Sequence, residues 1–170
     1  MIKILLISFL FVGITPNVEY IYKNNTNKIV YYIKYKKLTW NDFTVINKKQ
    51  LDVSESVTQI NMDIDYKNNK VSKIFVSCLL LKDKSWVLSN QKNDYILNHE
   101  QRHFDITYIY SNKLIQLING VTDIEQVNKI YDNCIYNMNL MQVNYDNETN
   151  HSINKEKQKE WDNKIDILNK

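Results

Sequence analysis

Glycine and proline are almost missing from this chain, with two Gly and one Pro in 170 residues. Tight turns must therefore be made by Asn and Asp, which tolerate left-handed backbone better than other non-glycine residues. Cysteine is equally scarce. Cys78 falls in an apolar, strand-like run and Cys134 on a helical stretch. In an oxidising compartment they could form one disulfide, but two small buried thiols are the plainer expectation. Neither has a second Cys at metal-binding spacing. Charge of one sign is also lacking: the net charge is only +3. The Lys residues are scattered among Asp, Asn and Glu, so no basic stripe argues for a nucleic-acid partner. The apolar run from Ile4 to Ile14 is too short to make a comfortable membrane span.

What remains is an ordinary globular composition, 44% hydrophobic and 24% charged. Lys3, the apolar run and the break at Thr15-Pro16-Asn17 have the layout of a secretory leader over residues 1–17, cleaved or kept as an N-terminal anchor, with a first buried strand as the alternative. No Cys stands at its end, which disfavours a lipid anchor. A secreted or periplasmic protein is expected, with residues 18–170 forming one domain.

From Val18 to Leu81 the pattern favours strands. Val18 to Tyr22 and Ile29 to Tyr35 read as one hairpin, closed by a polar turn at 23–28. Val57 to Tyr66 alternates as a half-buried strand does, and Val71 to Leu81 reads as its partner across Lys67-Asn68-Asn69-Lys70. Between them, Leu38-Thr39-Trp40-Asn41-Asp42-Phe43 suits a short capped turn holding Trp40 and Phe43 in the core. The second half is helical. A helix is expected over Asn93 to Ile118, ended by Asn119-Gly120, with Ile96, His99, His103, Ile106, Tyr110 and Leu117 on its inner face. Thr122 and Glu125 form a capping box for the next helix, whose pattern breaks at Tyr145 to His151. Trp161, Ile165 and Leu168 mark a last one. The expected class is α+β: an N-terminal antiparallel sheet of about four strands, then a helical half.

The chemistry concentrates in His99-Glu100-Gln101-Arg102-His103. Residues four apart share a helix face, so both imidazoles can converge on one ion, with Glu100 beside them to act as base on a metal-bound water. The chain has three His, and two are in this motif. A catalytic zinc takes three protein ligands and leaves a position open. His151 is the expected third ligand, with Glu148 and then Asp146 as alternatives from the same polar run. A spare acid there would orient a ligand His. Tyr145 is a candidate oxyanion donor, against a packing role. Asp105 lies about 200° round the helix from His103 and is expected to pair elsewhere, and Arg102 to face solvent.

Several blocks in one order carry a resemblance: Leu38 to Phe43, Ser85-Trp86-Val87, His99 to Ile106, and Tyr145 to His151 with Gln158 and Trp161 behind. In these the chain resembles the bacterial domain of unknown function 922, described as predicted secreted zinc-dependent proteases. Ser152 stands where that family usually has Gly after the His. The resemblance implies a zincin-like domain, Zn²⁺ and a peptide or protein substrate, a cell-wall peptide included. The long metzincin pattern does not fit, because Ile106 and Ile109 stand where it needs Gly and His. A non-catalytic, zinc-stabilised binding or envelope module is the alternative.

Overall fold

The computed structural model describes residues 18–21, 30–33, 35–47 and 52–169. The expected leader and the turn at 23–28 lie outside them. Two antiparallel hairpins form one four-stranded sheet. The first pairs β1 (Val18–Ile21) with β2 (Val30–Ile33), and the second pairs β5 (Thr58–Lys67) with β6 (Lys70–Leu80). The β5–β6 turn answers the glycine shortage: Asn68 and Asn69 take φ of 49° and 58°. A bulge between Asp65 and Tyr66 ends the alternation there, and Tyr66 is exposed.

The sheet is not purely antiparallel, as expected, but mixed: its order is β1-β2-β6-β5, and β2 runs parallel to β6. A parallel pair needs a long crossover. That crossover carries a feature the sequence pattern did not announce, part of a second sheet in the order β3-β7-β4. Its strands are β3 (Thr44–Ile46), β4 (Ser54–Glu55) and β7 (Trp86–Leu88), two or three residues each and too short for a periodicity. Before β3, the turn at Trp40–Asp42 is closed by Asp42 Oδ2, which accepts from Thr39 N (2.9 Å) and Thr39 Oγ1 (3.1 Å). Phe43 is buried and Trp40 packs edge-on against it at 5.2 Å.

Three helices complete an α+β fold: α1 (Asp94–Ile118), α2 (Ile124–Thr149) and α3 (Lys155–Leu168). Asn93 caps α1 through Oδ1, which accepts from Ile96 N. After α1 the chain turns through Gly120 at φ 85°, and Leu117, expected on the inner face, is half exposed. The cap of α2 is Asp123 rather than Thr122, its side chain accepting from Gln126 N. More consequentially, α2 does not break at Tyr145 but runs on to Thr149. The main core joins Ile60, Ile74 and Val76 of the sheet to Ile106, Leu114, Val127, Tyr145, Trp161 and Ile165 of the helices. A second cluster, Leu38, Phe43, Cys78, Val87 and Phe104, packs the small sheet against the middle of α1. Both cysteines are buried and unpaired with each other. Among the described residues no helix is long and apolar enough to cross a membrane.

Candidate metal centre

One helical turn separates His99 from His103, and the two rings sit 5.0 Å apart on the buried face of α1. Both are nearly inaccessible, at 4% and 8% exposure. Each ring is held by an amide. His99 Nδ1 lies 2.9 Å from Gln158 Oε1, and His103 Nδ1 lies 2.6 Å from Gln142 Oε1. The amide orientations follow from their other partners. Gln158 Nε2 donates to Tyr145 Oη (2.6 Å) and Asp162 Oδ1 (2.9 Å), and Gln142 Nε2 donates to the His103 carbonyl (2.9 Å) and Thr107 Oγ1 (3.1 Å). Both amide oxygens therefore face the rings, so each neutral imidazole carries its proton on Nδ1 and presents the Nε2 lone pair.

Both Nε2 atoms face Asp146. Its Oδ1 lies 3.3 Å from His99 Nε2 and 3.0 Å from His103 Nε2. That oxygen is buried and makes no hydrogen bond with acceptable geometry among the described residues. Metal–ligand bonds of ~2.0–2.1 Å at the tetrahedral angle would set neighbouring donor atoms ~3.3 Å apart. The observed spacings match, and His99, His103 and Asp146 form a group that could hold a metal ion. In the metal-free cluster, burial disfavours the ionised form of Asp146, but the pull of the two imidazoles overrides it and holds the carboxyl well below the usual range. Burial likewise opposes a charge on His103, and the Asp146 carboxylate overcomes it and raises its pKa.

The cluster differs from the sequence expectation in its third member. Because α2 continues to Thr149, Met138, Gln142 and Asp146 recur every four residues on one face and line the same cleft. His151 comes after the helix end, in a turn where Asn150, His151 and Ser152 all take positive φ (48°, 48° and 71°). Its ring stands at the rim, half exposed, with Nδ1 3.9 Å from Asp146 Oδ1 and 4.0 Å from Asp52 Oδ1. Glu148, about 200° from Asp146 round the helix, instead accepts from Trp161 Nε1 at 3.0 Å. Tyr145 does not line the cleft either. It is fully buried, stacked on the His99 ring at 4.7 Å, and its hydroxyl donates to the His99 carbonyl. Its placement is that of a packing residue, away from the cleft where an oxyanion donor is expected.

Glu100 is 2% exposed, lines the cleft and shares its carboxylate unevenly. Oε1 accepts a 2.5 Å hydrogen bond from Ser54 Oγ, while Oε2 has no partner among the described residues. The cleft has a volume of about 310 Å³, bounded by residues 52–58 on one side and α2 on the other. Behind it, Arg102 is not in solvent but spans three carboxylates, with Nη1 3.0 Å from Asp105 and 2.6 Å from Asp166, and Nε 3.0 Å from Asp162. Asp105 is fully buried and pairs there, away from the ion site as expected. Gln101 ties the helix to the early block, accepting from Leu38 N at 2.6 Å. Sequence reasoning missed Gln142, Gln158 as a ring holder, and Ser54. Only the Met138, Gln142, Asp146 spacing carried a signal of the first. No family model, curated protein or solved structure matches the chain.

Proposed function

We propose that the chain is an exported zinc hydrolase that cleaves an amide bond in a peptide or protein, a cell-wall peptide included. The observation that carries this reading is the pairing of the His99, His103, Asp146 cluster with the unpartnered Glu100 Oε2 on one open cleft. Zinc held by these three residues would supply a Lewis acid for the carbonyl and lower the pKa of a bound water toward ~7. Glu100 Oε2 is free to take the proton from the attacking water and return it to the leaving nitrogen as the C–N bond breaks. Gln158 and Gln142 keep both Nε2 lone pairs aimed at one point throughout. The motif blocks resemble the domain of unknown function 922, and the proposal extends to a zincin-like arrangement of the motif helix.

A structural zinc site would close its fourth position with another protein donor. Among the described residues the group has three members, which favours the catalytic reading over a zinc-stabilised module. Two His and one carboxylate also suit iron(II), so metal analysis belongs in the test. Glu100→Gln should keep about one equivalent of zinc and lose hydrolysis of a labelled unfolded protein. Retained turnover would overturn the proposal, as would iron in place of zinc.

A further inference from the structure

Glu100 adjoins His99, yet it stands outside the three-residue metal group. Its side chain is long enough to swing, and a fourth donor such as a second carboxylate is what a zinc ion with an open position would accept. Something must keep it off the metal. β4 supplies the restraint. Ser54 on β4 and Ser56 just past its end both reach α1. Ser54 Oγ donates to Glu100 Oε1 at 2.5 Å. Ser56 Oγ donates to the Glu100 carbonyl at 3.2 Å. Glu55 points the other way and accepts from Trp86 Nε1 at 2.7 Å.

The strand is itself fixed by its neighbours. Ser54 pairs with Val87 and Glu55 with Trp86, Leu88 N donates to the Val53 carbonyl (2.9 Å), and Val57 N donates to Ser85 Oγ (3.0 Å). The Ser54 hydroxyl is thus placed by a sheet, on a side chain with a single heavy-atom torsion. The geometry points to Ser54 as the positioning residue that holds Glu100 as a base instead of a fourth ligand, leaving Oε2 alone to face the cleft. This rests on the proposed metal site.

The test uses the full chain loaded with Co²⁺, whose visible spectrum reports coordination. Ser54→Ala should still bind one cobalt, with a changed spectrum and tighter binding as Glu100 joins the ion. Peptide hydrolysis should fall on the order of 10- to 100-fold, the factor typical of removing an outer partner in a metal site. Ser54→Thr, which keeps the hydroxyl and suits a strand, should restore the wild-type spectrum and rate. A Ser54→Ala spectrum and rate equal to wild type would overturn the inference, and so would a defect that Thr does not rescue. Wild-type protein that binds no cobalt would remove the site itself, whereas wild type that binds cobalt without hydrolysing anything leaves the spectra to decide on Ser54.

Discussion

Replacing Arg102 by Ala should destabilise the protein strongly, and by an amount that depends on pH. Asp105 is 0% exposed, and its two oxygens are met by Arg102 Nη1 (3.0 Å) and Gln101 Nε2 (2.9 Å). Burial already raises its pKa, against the lowering effects of Gln101 and Arg102. Without the guanidinium a buried carboxylate loses its only nearby cation among these contacts. Breaking one side of a buried pair costs ~3–5 kcal/mol. Gln101 still supplies one hydrogen bond, so the low end, about 3 kcal/mol, applies to Asp105. Asp166 has a side chain 58% exposed and adds at most ~1 kcal/mol. For a domain of this size, about 3 kcal/mol lowers Tm by roughly 6–12 °C. The sign with pH follows from the direction of the shift. Losing Arg102 raises the Asp105 pKa further, so the deficit is complete above that value and shrinks as the medium is acidified and Asp105 takes a proton. Urea unfolding of wild type and Arg102→Ala at neutral and mildly acidic pH measures it, and adding Asp105→Asn should recover most of the loss. A deficit below ~1 kcal/mol at pH 7, or one that acid does not reduce, would show that Arg102 does not offset the buried Asp105 charge.

Gln158→Leu should weaken metal binding ~10- to 100-fold, or about 1.4–2.7 kcal/mol, because His99 Nδ1 loses its acceptor; Gln158→Glu keeps an acceptor and should bind at least as well, as titration with a competing chelator can check. Ser152→Gly should raise stability by ~1 kcal/mol, since Ser152 sits at φ 71° where glycine has no steric cost; an unchanged denaturation midpoint would contradict this. In the metal-free protein the His103 and Asp146 shifts have opposite signs. The raised His103 pKa gives stability that is complete below ~6.5 and fades as pH rises, and the lowered Asp146 pKa gives stability that is complete above ~3.9 and fades in acid. Their joint contribution should peak between those values, and Asp146→Asn should flatten that peak in unfolding curves recorded with chelator present.

Much of this architecture was legible because its signals are local. Asn68-Asn69 marked the β5–β6 hairpin, the apolar spacing marked α1 from Asn93 onward, and the HExxH register put His99, Glu100 and His103 together. The parallel β2–β6 pair and the small sheet were not legible, since both depend on where a long crossover returns and on strands of two or three residues. The third member of the cluster is Asp146, the last of the alternatives, and not His151, the first expectation, for a related reason. Tyr145-Asp146-Asn147-Glu148-Thr149 looks polar enough to end a helix, yet Tyr145 is anchored in the core and Thr149 Oγ1 bonds back to the Tyr145 carbonyl at 2.7 Å. Tertiary burial therefore carries α2 one turn further than its propensity, bringing an acid instead of an imidazole to the two rings.

Metal content of the purified protein tests this arrangement most directly, compared among wild type, Asp146→Ala and His151→Ala. About one equivalent of zinc is expected in wild type and in His151→Ala, and nearly none in Asp146→Ala. Zinc retained by Asp146→Ala and lost from His151→Ala would contradict it.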